Sequence, residues 1–361
     1  MPKYVNFKLK TGKMKSFTRI STMITLMLLF ITAGLTAQEL KKSYHETYDV
    51  NSDARVQIDN KYGQVYIQTW DKNQVVIDVE ISVDAKNEKE SQKILDKINA
   101  KISGSNDLVK AITVFTGNLN CRNCEMSIEY EVKMPAGCML DLKNEFGNAY
   151  VGELSGPAKI RVDYGNLELD GLTGKDNSVT VKFGNAEIGA VKASEMHIEY
   201  SNLELAKAGY LDLYSRFNSI EIAEVSELVL DSQYDGVEIG SGDDMNIKAG
   251  FSDIEIGEVF DKLSLNSSYG GVEVLRVSGG FSLIDITSEF GSVDLGISKS
   301  ASYKLEAHAS FGDIDYPEGN ASVIKEIEKD FKHEIEAFIG DDKSSTAKVN
   351  VSVKNANVDI D

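Results

Sequence analysis

The sequence predicts an all-β protein. The expected fold is a single-chain parallel β-solenoid of about ten short coils, with an N-terminal cap holding one amphipathic helix and a C-terminal β cap. Three observations lead there. Aromatic residues recur at Phe146, Tyr164, Phe183, Tyr200, Phe217, Tyr234, Phe251, Tyr269, Phe290 and Phe311, 17 to 21 residues apart. An apolar–acid–apolar triplet follows nearly every one, as in Leu167-Glu168-Leu169, Ile220-Glu221-Ile222 and Val293-Asp294-Leu295. A second alternating stretch precedes each aromatic, as in Ile160-Arg161-Val162 and Leu263-Ser264-Leu265. Alternation with a period of two is strand periodicity. A unit of two short strands cannot bury its apolar side alone, so such units stack. The rival, an antiparallel sandwich, has no need of a near-constant period.

Residues 1–37 carry six basic residues and no acid, then an apolar run from Met23 to Leu35 and the exit Thr36-Ala37-Gln38. This is the pattern of a secretory signal with cleavage after Ala37. Met14-Lys15-Ser16 would begin a signal of more usual length. No cysteine stands at the cleavage point for a lipid anchor, and no later apolar run is long enough to span a membrane. The expectation is an exported chain in the periplasm, on the outer surface or outside the cell. Residues 38–142 read as the N-terminal cap and first coil. Asn60-Lys61-Tyr62-Gly63 with Val65 and Ile67 looks like one repeat, and Ile94, Leu95, Ile98 and Ile102 predict an amphipathic helix over 87–103. Residues 143–316 are the repeat body, in which the Gly or Asn after most aromatics is expected to supply the turn through positive φ. Residues 317–361 break the period and read as the second cap, although Asn357-Val358-Asp359-Ile360 repeats the triplet once more.

Asn60-Lys61-Tyr62-Gly63, Met134-Pro135-Ala136-Gly137, Tyr164-Gly165-Asn166 and Phe290-Gly291-Ser292 together resemble the bacterial putative-adhesin family, a domain of unknown function also called the toast-rack domain. The resemblance spans most of the mature chain. It implies an exported β-solenoid of the cell envelope, linked to adhesion or envelope-stress systems. It implies no catalytic residues, and the missing membrane segment departs from the family's signalling members.

Apolar residues are 42% and charged residues 26%, an ordinary globular balance. The net charge of −19 is not ordinary, and it argues against nucleic-acid binding because phosphate backbones would be repelled. His45, His197, His308 and His333 are scattered without metal-ligand spacing. Gly240-Ser241-Gly242-Asp243-Asp244 lacks the alternating acids of a calcium loop and reads as a turn. Cys121-Arg122-Asn123-Cys124 suits a local disulfide in an oxidising compartment better than a redox motif or half a zinc site, with Cys138 left unassigned. The acids carry the sharpest expectation. If the triplet's apolar residues point inward, Glu168, Glu187, Glu204, Glu221, Glu238, Glu255, Glu273, Asp294 and Asp315 point outward at one position of nine consecutive coils, about 5 Å apart. The plain reading is a solvated face. The sharper one is a ladder that attracts a basic partner or weakly binds calcium, with no other cofactor expected. The expected function is therefore non-enzymatic: an adhesin-like exported protein with a protein or surface polysaccharide as partner. The alternatives are an accessory role in envelope-stress signalling and a carbohydrate-active β-helix enzyme.

Overall fold

The computed structural model describes residues 39–119, 121 and 123–361, so the leader read at 1–37 lies outside the described residues. The N-terminal part holds β1 (Leu40–Asp49), β2 (Arg55–Lys61), β3 (Val65–Trp70), β4 (Gln74–Asp84), α1 (Glu88–Leu95), β5 (Ile98–Gly104), β6 (Leu108–Phe115) and β7 (Glu125–Pro135). The repeats begin with β8 (Met139–Glu145), β9 (Ala149–Val151), β10 (Ala158–Asp163), β11 (Leu167–Leu172) and β12 (Asn177–Lys182). Five long strands follow: β13 (Asn185–Glu199), β14 (Asn202–Arg216), β15 (Ser219–Gln233), β16 (Gly236–Gly250) and β17 (Asp253–Ser268). Then come β18 (Val272–Val277), β19 (Leu283–Glu289), β20 (Val293–Ile297), β21 (Tyr303–Ser310) and β22 (Ile314–Asp315). The chain ends with β23 (Ala321–Lys329), β24 (Lys332–Ile339), β25 (Lys348–Lys354) and β26 (Val358–Ile360).

The fold is the expected all-β solenoid. Each aromatic marks a corner. The strand after it joins a front wall and the strand before it joins a back wall. In β13 to β17 one strand runs through the opposite corner and serves both walls, so Glu187 pairs Glu204 in front while Met196 pairs Leu213 behind. Pairing from coil to coil is parallel and in register. The triplet's apolar positions, such as Leu203, Leu205, Ile220 and Ile222, fall inward and are at most 2% exposed. Burying each such side chain contributes about 1.5–3 kcal/mol relative to leaving it in water. The core is continuous along the stack.

The coil order departs from the chain order at both ends. The coil β2/β3 lies between β6/β7 on one side and β8/β9 on the other. At the far end, β25/β26 enters between β19/β20 and β21/β22. The segment read as a closing cap therefore divides. Its hairpin β23–β24 continues the back wall antiparallel to β21, while its last two strands become an inner coil. At the N-terminal end, antiparallel β4 and β1 extend the front wall and β5 extends the back wall. The Lys42 ammonium joins them by donating to the Ile98 carbonyl (3.1 Å) and to Asn99 Oδ1 (2.6 Å).

Two local expectations are corrected. The helix spans only Glu88–Leu95, capped by Asn87 Oδ1 accepting from the Glu90 N–H at 3.0 Å. Ile98 and Ile102 lie in β5 instead. Positions four apart satisfy a helix and a strand equally, and Ala100, 8% exposed between them, follows the strand period. Positive φ belongs to the aromatics themselves, 52° to 67° from Tyr62 to Phe311, and not to the glycines that follow.

Those glycines answer a different demand. A Cβ on Gly165 would fall on the carbonyl oxygen of Gly147, and one on Gly184 on that of Gly165. Where the equivalent carbonyl instead accepts from the next coil, a side chain fits. The Gly184, Ser201, Asn218 and Asp235 carbonyls accept from the N–H groups of Asn202, Ser219, Gly236 and Asp253 at 3.1–3.4 Å. There the corner carries Ser201, Asn218, Asp235 and Ser252. Their side chains accept from the coil before: Ser201 N–H to Asn218 Oδ1 at 2.8 Å, Asn218 N–H to Asp235 Oδ1 at 2.6 Å, and Asp235 N–H to Ser252 Oγ at 3.0 Å. The corner thus has two peptide orientations, and the residue after each aromatic reports which one the coil adopts.

Candidate functional site: an acidic front wall

Because inward and outward positions alternate, the triplet acids all stand on the outer face of the front wall. The register is continuous from Glu168 through Glu187, Glu204, Glu221, Glu238, Glu255 and Glu273 to Asp294. The row then differs from the expectation. Asp294 pairs Asp359, and Asp359 pairs Asp315. Asp294 and Asp315 are not neighbours, because the inserted coil stands between them and brings an acid of its own. Ten carboxylates follow one another, about 4.8 Å apart at the backbone. On the other side the row ends at Tyr150, which pairs Glu168.

Small residues two positions before the acids, such as Ser219, Gly236, Gly271 and Ser292, leave a shallow trough beside the row. Its larger part, about 490 Å³, runs from Glu221 to Asp294. A second part of about 310 Å³ runs from Tyr150 to Glu204. Among the described residues none of the ten acids makes an ion pair, whereas back-wall acids are paired, Glu199 with Lys182 of the neighbouring coil at 2.8 Å and Asp163 with Arg161 of its own strand at 2.7 Å. The carboxyls of Glu168, Glu238 and Asp359 are held above the ordinary range, first by partial burial and then by their acidic neighbours. Among the described residues no three His, Cys, Asp or Glu side chains gather as an ion cage.

The other candidates stand apart from the row. Cys121 and Cys124 are joined as a disulfide in the loop before β7, with Cα atoms 5.3 Å apart. Cys138 is buried, and burial pushes its thiol up to about 11. The histidines do not converge: His45 contacts Asp78, His197 contacts Glu195, and His333 Nδ1 accepts from the Ile314 N–H. Gly240 to Asp244 lies inside β16, at the corner opposite the aromatics, and forms no separate loop.

Two features beside the trough were not anticipated. One is Asp359, although the Val358-Asp359-Ile360 triplet was the signal for it. The other is the aromatic corner. Its rings stack face to face from Tyr62 to Phe290 at centroid distances of 4.7–5.3 Å. Asn355 takes the corner of the inserted coil, also at positive φ, and Phe311 stacks beyond it on Phe331.

No family model matches the chain, and no curated protein matches it. Solved structures similar to it include a putative adhesin from Parabacteroides distasonis. That match has 16% identity, covers 70% of this chain and 96% of that one, and has a TM-score of 0.34. A putative adhesin from Bacteroides fragilis is 13% identical over 89% of this chain and 97% of its own, at 0.31. A putative lipid binding protein from Parabacteroides distasonis is 11% identical over 70% and 95%, at 0.34. The adhesin names match the family that the sequence motifs resemble. Identities and scores this low transfer no property to this chain.

Proposed function

We propose that the chain is an exported, non-enzymatic, adhesin-like binding protein that presents its front wall to a cationic partner surface. One observation carries this reading: ten outward carboxylates stand in register, eight of them along an open trough, and among the described residues none of the ten makes an ion pair. Like charges facing each other across strands cost tenths of a kcal/mol to about 1 kcal/mol each. A partner's positive charges would relieve that cost, so the row favours whatever neutralises it. No described helix is long and apolar enough to cross a membrane. Glycosidase chemistry needs two carboxyls on opposite sides of a sugar bond. Here the acids stand side by side on one flat face, which supports binding over hydrolysis.

The test is binding of the mature protein to immobilised polylysine. Changing Glu204, Glu221, Glu238 and Glu255 together to Gln is expected to weaken binding about tenfold or more. A charge-matched control with Glu227, Asp231, Asp243 and Asp261 neutralised is expected to lose far less, and both proteins should bind more weakly as salt rises. Equal losses would defeat the reading. The same four-Gln variant tests the weaker cation role. Millimolar calcium is expected to raise the unfolding midpoint of the parent but not of the variant, and an equal effect on both would remove calcium from the account.

A further inference from the structure

We infer that the aromatic corner is a self-association surface on which a second copy of this chain docks antiparallel, with Tyr200 of each copy opposite Phe217 of the other. This goes beyond the acidic front wall and does not depend on it.

Stacking explains why bulky residues tolerate positive φ at these corners. It does not explain which rings are used. From Tyr62 to Phe290 the ten rings alternate strictly between Tyr and Phe. Phe311 and Phe331 stack equally well, at 4.9 Å, without alternation. The ridge is also open. The nine rings from Phe146 to Phe290 are 38–51% exposed. That leaves roughly 800 Å² of ring surface. A typical monomer's largest apolar patch is smaller, about 300–600 Å². The exposed area is close to one partner's share of a standard interface.

The period selects the occupant. An extended peptide laid along the ridge repeats a face every ~6.7 Å and a helix every ~5.4 Å, so both fall out of step with the rings within a few coils. Another stack of β-coils keeps step along the whole ridge, and a second copy has the same spacing.

The order of residues selects the direction. A two-fold axis across the ridge between Tyr200 and Phe217 sets the first ring against the tenth and the second against the ninth. With an even number of alternating rings, every Tyr then meets a Phe and no two hydroxyls confront each other. The residues just before the rings agree. In this register Lys61 faces Glu289 of the second copy and Glu199 faces its Arg216. The remaining positions pair a charge with an uncharged residue: Glu145 with Ser268, Asp163 with Gly250, and Lys182 with Gln233. No like charges meet along that flank. On the other flank, two residues after the rings, Asp253 is the sole charged residue, and it faces Asn166.

The test uses the mature protein at micromolar concentrations. Sedimentation should show a dimer. Lys61→Glu should weaken it about tenfold, because each copy then sets two acids face to face. Lys61→Glu with Glu289→Lys should restore it. These positions lie nine coils apart within one chain, so rescue can arise only between chains. A Gln64→Cys chain mixed with a Ser292→Cys chain should cross-link through a short bismaleimide, and neither chain should cross-link to itself. A monomer throughout, a Lys61→Glu dimer not rescued by the second change, or Gln64→Cys cross-linking to itself would each overturn the inference. So would a monomer that sediments with neutral phosphatidylcholine vesicles, which would make the ridge a lipid contact.

Discussion

Removing residues 346–361 is expected to abolish cooperative unfolding and not merely to fray one end. β25 pairs β19 on one side and β21 on the other, and β26 pairs β20 and β22 in the same way. Its loss takes the buried Val349, Val351, Val358 and Ile360 out of the core, opens the coil faces of β19/β20 and β21/β22 at once, and leaves Asp294 and Asp315 with no neighbour between them. In stacked repeats stability is close to a sum of intrinsic and nearest-neighbour contributions, and here two neighbour contacts disappear together. The loss should exceed about 5 kcal/mol, comparable to the whole stability of many domains. Circular dichroism through a thermal scan checks it. A truncated protein that keeps a sharp transition within a few degrees of the parent would mean that the last strands sit on the outside.

Gly165→Ala and Gly236→Ala are expected to move stability in opposite directions. At Gly165 the added methyl meets the Gly147 carbonyl oxygen, part of a backbone fixed by the coils on either side, so relief requires turning a peptide in the wall. The expected cost is about 3 kcal/mol or more. At Gly236, one position further along its coil, a Cβ meets nothing within 4 Å, and the backbone is extended strand. There Ala should add about 0.4–1 kcal/mol by restricting the unfolded chain. Denaturant midpoints for the two variants separate these outcomes. Equal and small effects would contradict the two-orientation account of the corner.

Much of this was legible in the residues. Spacing of the aromatics specified the coils, and alternation within Ile220-Glu221-Ile222 and its relatives specified which side chains face out, because a strand offers two faces only. The order of the coils was not legible. Periodicity orders coils along the chain, whereas Val349 finds its partners by filling an apolar gap between β19 and β21, a decision of tertiary packing. Asp359 is absent from the expected row for the same reason, although its triplet is visible in the sequence. The helix ends earlier than its apolar spacing predicts, because Ile94, Ile98 and Ile102 satisfy both periods until pairing with β6 decides. Glycine is the expected holder of positive φ because bulky residues seldom adopt it. The rings do so here because each gains a stacking neighbour on both sides, worth about 0.5–1.5 kcal/mol per contact.

The central claim is that the front-wall acids act on one another as a single row, and the titration of Glu238 tests it most directly. Its carboxyl is held above the ordinary range by partial burial and by Glu255 and Glu221. The folded chain therefore binds this proton more tightly than the unfolded chain does. Its contribution opposes folding at neutral pH, and the opposition fades as pH falls through the folded value toward the ordinary carboxylate range. The measurement is a carbon-detected NMR titration of the Glu238 side chain in the parent and in a Glu221→Gln, Glu255→Gln variant. The account predicts a midpoint above the ordinary value in the parent and a fall toward it in the variant, with a residue of the elevation left by burial. A midpoint that is ordinary in the parent, or unchanged when both neighbours lose their charge, would contradict it.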